Sequence, residues 1–161
     1  MQPGPAPGSY FSESMSAIAP QADPNRKLLE TARTQIADGQ LQEAARTLNK
    51  AQQNIPNDPR VFMLAGLMAE QGGNVPKAID SLRHSVAISP DWGPGLLELA
   101  LMLARHHQND EALQLAEKVA ALEPQNLVVL AGVVDIAHRA GHTEMAVRHL
   151  RRGLGMVPGD V

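Results

Sequence analysis

Residues 59–90 read PRVFMLAGLMAEQGGNVPKAIDSLRHSVAISP, and this stretch is one copy of a pattern that recurs every 34 residues along the chain. Its closing proline belongs to a set of four with that spacing: Pro56, Pro90, Pro124 and Pro158. Alanines keep the same step at Ala44, Ala78, Ala112 and Ala146. Glycines keep it at Gly39, Gly73 and Gly141, and His107 occupies the remaining slot. A fixed period of this length predicts one supersecondary unit that is repeated and stacked.

Each repeat carries signals for two helices joined by a short turn. Asp58-Pro59 is a helix-start signal, because the aspartate caps free backbone N–H groups and the proline needs no hydrogen bond there. Asp23-Pro24 repeats the signal, and Asn126 offers a cap to the fourth repeat. Turns are predicted at Asp38-Gly39, Gly72-Gly73-Asn74, His107 to Asp110, and Gly141-His142. Every second helix is expected to end at its repeated proline, which gives eight helices in four antiparallel pairs.

The repeated residues resemble the tetratricopeptide repeat, whose pattern includes a leucine-glycine pair, Ala-x3-Phe and a closing proline. The second repeat matches this pattern best, through Phe62, Ala65, Gly66, Ala69, Ala78, Leu82 and Pro90. Apart from Phe62, the aromatic slots hold aliphatic, small or polar residues. The resemblance implies an all-α, right-handed superhelical solenoid of four helix-turn-helix repeats. These repeats are expected at about 25–58, 59–92, 93–126 and 127–160, within a domain of residues 25–161.

The composition narrows the class of protein. Hydrophobic residues make up 43% of the 161 residues but aromatics only 2%, so the core must be built from aliphatic and small side chains. The net charge of −3 gives no general attraction to nucleic acid or anionic membranes. With no cysteine, disulfides and thiolate metal sites are excluded. No apolar run approaches the ~20 residues of a membrane span. We expect a cytoplasmic protein with no nucleic-acid or membrane partner.

Residues 1–24 differ from the repeats because proline, glycine and serine dominate them. This composition predicts a flexible N-terminal arm. Tyr10 and Phe11 nevertheless place two of the chain's four aromatic residues in it. The arm is therefore either an unstructured leader or a short motif that docks on its own repeats or on those of a neighbouring chain.

A candidate binding groove follows from the outward face of the first helices. In the tetratricopeptide family this helix lines a concave groove, and here the face is rich in leucine, isoleucine and methionine. An apolar surface of this kind typically marks a binding site for an amphipathic helix or an extended peptide. The residues predicted to line the groove are Leu29, Arg33, Ile36, Met63, Leu64, Leu67, Glu70, Leu97, Leu101 and Asp135. The alternative is that these side chains pack within the array.

Patterns for catalysis and for metal or cofactor binding are weak. Gly93-Pro94-Gly95 lacks the third glycine of a dinucleotide loop and has no preceding strand. His138 and His142 are four residues apart but flank the turn at Gly141, and no His-Glu-x-x-His motif occurs. We predict a non-enzymatic chain without cofactor or metal.

The sequence therefore predicts an adaptor or scaffold that binds a partner peptide or helix in its concave, largely apolar groove. One alternative is an N-terminal accessory domain of a larger enzyme, such as a transferase or an oxygenase. Asp160 stands where a fifth repeat would begin, and Val147, Leu150, Leu154 and Met156 of the last helix would lie uncovered. A second alternative is a self-assembly module, in which the arm of residues 1–24 docks in the groove of a neighbouring copy or the open ends of two copies meet.

Overall fold

The computed structural model describes residues 23–157, and these residues form eight α-helices and no strand. The predicted all-α class is confirmed. The helices are α1 (Arg26–Ala37), α2 (Leu41–Asn54), α3 (Pro59–Gln71), α4 (Val75–Ile88), α5 (Gly93–Arg105), α6 (Asn109–Leu122), α7 (Leu127–Arg139) and α8 (Thr143–Met156).

The helix bounds repeat with the period of the sequence. The second helices begin at Leu41, Val75, Asn109 and Thr143, and successive starts are 34 residues apart. They end two residues before the repeated prolines, because a residue that precedes proline avoids the helical region. Ile55 before Pro56 has φ −131° and ψ 96°, and Ser89 before Pro90 has φ −132° and ψ 82°.

The turn inside each repeat has the same left-handed geometry. Gly39, Gly73 and Gly141 have φ of 76°, 84° and 76°. His107 adopts φ 62° in the turn of the third repeat, although a side chain makes this conformation unfavourable. The backbone N–H of Gln108 donates to the Leu103 carbonyl at 2.8 Å and closes that turn. Because α6 already begins at Asn109, the turn ends earlier than the predicted limit at Asp110.

The starts of the first helices follow the predicted caps, with one difference. The Asp58 carboxylate accepts the N–H of Arg60 at 3.0 Å. Asn126 accepts from Val128 and Val129. At the first repeat, however, Asn25 and not Asp23 immediately precedes the helix. Asp23 lies two residues before Asn25, and its Oδ1 accepts the backbone N–H of Asn25 at 3.0 Å.

The chain separates into two compact units, Met1–Ser89 and Pro90–Val161, of which the structure describes residues 23–89 and 90–157. The sequence predicted a single repeat domain over 25–161. Unit 1 contains the first two helix pairs and unit 2 the last two. Apart from Asp23 and Pro24, the predicted arm of residues 1–24 lies outside the described residues.

Small residues let the two helices of a repeat approach closely. A Cβ atom added at Gly66 of α3 would lie 2.8 Å from the Leu82 Cγ and 3.0 Å from the Ala78 backbone oxygen, both in α4. Ala78 itself is fully buried. Gly66 therefore sets the close crossing of α3 and α4, because a larger residue at position 66 would push the helices apart.

Candidate functional site

In each unit the first helices of the two repeats pack side by side: α1 against α3 in unit 1, and α5 against α7 in unit 2. All ten residues of the predicted groove lie on these four helices. We name the outer surface of each pair its first-helix face.

Half of the predicted groove residues are core residues in the structure. Leu29, Met63 and Leu64 are fully buried, and Ile36 and Leu97 are each 7% exposed. Leu97 illustrates the cause, since a Cβ added at Gly132 of α7 would lie 2.8 Å from its Cδ1. These side chains fill the space between neighbouring helices, so a partner cannot reach them in this arrangement.

The accessible residues share one position in the repeat. Arg33, Leu67, Leu101 and Asp135 follow each other at 34-residue steps, and all four keep part of their surface in solvent. The equivalent position one helical turn earlier is taken by Leu29, Met63 and Leu97, which are buried. In the first three repeats a single turn of helix thus separates the core from the surface, whereas in the fourth repeat the equivalent residue one turn earlier, Ala131, is exposed.

The accessible positions differ in polarity between the repeats. Leu67 and Leu101 are half-buried apolar residues, one in each unit. Asp135 accepts from the Nε of Arg139 at 3.0 Å, one turn along α7. Glu70 is half-buried beside Leu67 on the unit 1 face. Each first-helix face therefore combines one leucine with charged neighbours, which suits an apolar anchor with a polar surround.

An ion network at the start of the two repeats of unit 1 was not predicted from the sequence. Arg60 is fully buried, and its guanidinium binds two carboxylates. It donates to Asp58 through Nε at 2.9 Å and Nη2 at 2.8 Å. It donates to Asp23 through Nη1 at 2.5 Å and Nη2 at 3.0 Å. Asn25 adds a hydrogen bond from its amide to Asp58 at 2.9 Å.

The network shifts the pKa values of Asp23 and Arg60 toward their ionised forms. Hydrogen bonds from Arg60 hold the pKa of the Asp23 carboxyl below its ordinary value, although burial opposes the shift. Burial also disfavours the charged form of Arg60, but the hydrogen bonds and charges of Asp23 and Asp58 outweigh it and raise its pKa. The network ties the start of α1 to the start of α3. Its role is structural, because no part of the guanidinium reaches solvent.

The last repeat exposes an apolar surface that we name the end surface. It is formed by Leu127 of α7, by Leu150 and Leu154 of α8, and by Val157, which follows α8. Between 46% and 64% of each residue is exposed. Together with Leu130 they line a cavity of about 290 Å³. Of the four residues predicted to lie uncovered on this helix, Val147, Leu150 and Leu154 are exposed, whereas Met156 is half-buried.

A buried histidine also lines the cavity of the end surface. His149 is 4% exposed, and neither ring nitrogen has a hydrogen-bond partner among the described residues. Its Nε2 lies 3.4 Å from Glu117 Oε2, but the geometry does not make a hydrogen bond. Glu117 also accepts from Arg148. His149 thus brings a polar group with unused hydrogen-bonding capacity to an otherwise apolar cavity.

The described part of the chain shows neither a cluster of metal-binding side chains nor a membrane-spanning helix. Over residues 23–157, no group of three or more histidine, cysteine or acidic side chains is placed to hold a metal ion. Over the same stretch, none of the helices has the length and apolarity that crossing a bilayer requires.

Comparison with solved structures identifies the fold. No protein-family model matches the sequence, and no curated protein matches it either. Among solved structures, TTC0263, a thermophilic TPR protein of Thermus thermophilus, superposes with a TM-score of 0.72 at 19% identity over 95% of this chain and 86% of that chain. The fold is that of the tetratricopeptide repeat.

Two other solved structures support the same fold. A crystal structure of MamA gives a TM-score of 0.65 at 17% identity and covers 92% of this chain and 86% of that chain. YrrB, described as a TPR protein with an unusual peptide-binding site, gives 0.63 at 15% identity and covers 91% of this chain and 76% of that chain. At these identities the similarity establishes the tetratricopeptide fold predicted from the sequence.

Proposed function

We propose that this chain is a non-catalytic protein-interaction module that holds a peptide or helix of a partner protein against its first-helix faces. The observation that carries the proposal is the half-exposed leucine at the same repeat position of each face, Leu67 in unit 1 and Leu101 in unit 2. The tetratricopeptide fold supports it, and YrrB, which shares the fold, has a peptide-binding site. The expected place of action is the cytoplasm, which cell fractionation tests.

The physical basis of binding is preorganisation. The first helices are packed against their neighbours before a partner arrives, so the entropic cost of ordering falls mainly on the partner. A leucine held in a fixed position acts as an anchor that a complementary apolar side chain covers. Charged residues around the leucines, such as Glu70 and Asp135, favour partners of the opposite charge.

The absence of catalysis is part of the proposal. Within residues 23–157, the segments between helices are three or four residues long, for example Asp38 to Gln40 and Ile55 to Asp58. Catalytic residues are mostly carried by longer loops on a rigid scaffold. A packed helical face without such loops suits recognition better than chemistry.

The test begins with peptides selected against the whole chain from a random phage-displayed library. Leu67→Asp and Leu101→Asp are then compared with Gln114→Asp, which places the same charge on an exposed position of α6. We expect at least a tenfold loss of affinity for the selected peptide in one or both leucine variants, with helicity unchanged by circular dichroism. The control keeps its affinity. Equal affinity in all three variants, or no selected peptide, would contradict the proposal.

A further inference from the structure

The end surface is the surface on which one repeat stacks on the next. Its residues Leu150, Gly153 and Leu154 are equivalent to Ala116, Val119 and Ala120 one repeat earlier. Those three are buried on α6, and α7 packs against α6. In unit 2 the first helix of the following repeat therefore covers this position. On α8 the same position is open among the described residues.

Unit 1 shows what a covering helix presents to such a surface. Val61, Ala65 and Met68 of α3, at spacing i, i+4 and i+7, share a surface depression with Leu48 and Gln52 of α2. The equivalent residues of α7, two repeats later, are Val129, Val133 and Ile136, and all three are fully buried. A helix that completes the end surface should carry apolar residues at the same three positions.

The rim of the end surface selects a negatively charged occupant. Arg151 and Arg152 lie on α8 next to Leu150 and Gly153 and are exposed, and the only acidic residue of that helix is Glu144. Two copies that met through their end surfaces would bring these arginines together, which disfavours symmetric pairing. An acidic segment would be attracted instead.

One segment of the chain has these properties. Residues 9–19, SYFSESMSAIA, lie outside the described residues and contain neither proline nor glycine. Phe11, Met15 and Ile18 have the i, i+4 and i+7 spacing of the covering helices. Glu13 lies between them, and no lysine or arginine precedes Arg26. The segment thus offers both the apolar pattern and the charge that the end surface requires.

We propose that residues 9–19 of a second copy dock on the end surface as a helix and take the place of the next repeat. Ala19 lies four positions before Asp23, which Arg60 binds in unit 1, so the chain from Asp23 to Ala19 spans at most about 14 Å. The end surface belongs to unit 2. The same chain is the alternative source of the segment. Head-to-tail contacts between copies form rings or open filaments.

The chain contains no cysteine, so docking is testable by disulfide trapping in the full-length protein. Met15→Cys is mixed with a size-tagged Leu154→Cys variant and oxidised. The matched control replaces Leu154→Cys by Gln114→Cys, at an exposed position of α6 in the same unit. We expect the mixed dimer with position 154 to form at least tenfold faster than the one with position 114. Equal rates would overturn the proposal.

A chain that carries both Met15→Cys and Leu154→Cys separates the two sources of the segment. Docking between copies gives cross-linked dimers and longer chains at micromolar concentration. A cross-linked monomer as the main product would overturn the assignment to a second copy.

Assembly is measured independently by light scattering over a concentration series. The wild type is expected to increase in mass with concentration, whereas Phe11→Asp and Leu154→Asp stay monomeric. Leu154 is 64% exposed, so its replacement should leave the helical content unchanged. Leu67→Asp lies outside the end surface and should assemble like the wild type, which keeps this test separate from that of the first-helix faces. A wild type that stays monomeric at all concentrations would overturn the proposal.

Discussion

Arg60, in the first turn of α3, donates two hydrogen bonds to Asp23, which lies just before α1. Both side chains are almost completely removed from solvent, at 0% and 2% exposure. The planar guanidinium presents paired donors that match a carboxylate, and a second pair binds Asp58. This network joins the starts of two successive repeats by charge and hydrogen bonding as well as by apolar packing.

Arg60→Met should strongly destabilise unit 1. The substitution leaves the carboxylates of Asp23 and Asp58 buried without their cation, and removing one member of a buried pair costs about 3–5 kcal/mol. Urea denaturation followed by circular dichroism measures the loss. Arg26→Met is the matched control, because Arg26 is exposed and lies 3.8 Å from Glu30. We expect the control to change stability by no more than about 0.5 kcal/mol, and an equal effect of both variants would contradict the prediction.

Asp23→Asn should lower stability at neutral pH and weaken its dependence on acid. The pKa of Asp23 is lowered in the folded state from its ordinary 3.8, so ionisation favours folding above that value. This contribution is lost as the pH falls through the lowered pKa. The wild type should exceed the variant by about 1.5–3 kcal/mol at pH 7, the range of hydrogen bonds to charged groups. Urea midpoints at pH 7 and pH 3 should show the difference narrowing, whereas a constant difference would contradict the assignment.

The helix bounds were predictable because turns and caps are local. Proline excludes the preceding residue from the helix, and glycine permits a left-handed turn, so Pro90 and Gly73 mark two ends without knowledge of the tertiary fold. The conformation of His107 was not predictable from its own type. His107 adopts this conformation because it occupies the turn position that glycine holds in the other three repeats.

The candidate site was less predictable, because apolar residues one turn apart have different neighbours. Leu97 packs beside Gly132, whereas Leu101 keeps part of its surface. Both leucines lie on α5, and the position of the neighbouring helix α7 decides which of them is buried. Arg60 was missed for a related reason: a charged residue is normally exposed. The repeated Asp-Pro pairs at 23 and 58 were the available signal, since they supply its two carboxylates.

His107→Gly should stabilise the chain. The left-handed conformation costs a residue with a side chain about 1–2 kcal/mol, which glycine avoids, and the greater freedom of glycine in the unfolded state cancels part of the gain. We expect a net gain of about 0.5–1 kcal/mol, seen as a rise of about 1–4 °C in the melting temperature. His107→Ala is the control, because alanine keeps the Cβ that makes the left-handed conformation costly. The control should gain nothing, and an equal rise in both variants would contradict the explanation by backbone strain.

Two glycine-to-alanine substitutions in helices should have opposite effects. Alanine is favoured over glycine in a helix interior by about 1 kcal/mol. At Gly155 nothing lies within 4 Å of an added Cβ, so Gly155→Ala should stabilise α8 by up to about that amount. At Gly66 the Cβ would lie 3.0 Å from a backbone oxygen of α4, which cannot move aside as a side chain can. Gly66→Ala should therefore cost about 1–3 kcal/mol through overpacking. Urea midpoints that shift in the same direction for both variants would contradict the close approach of α3 and α4.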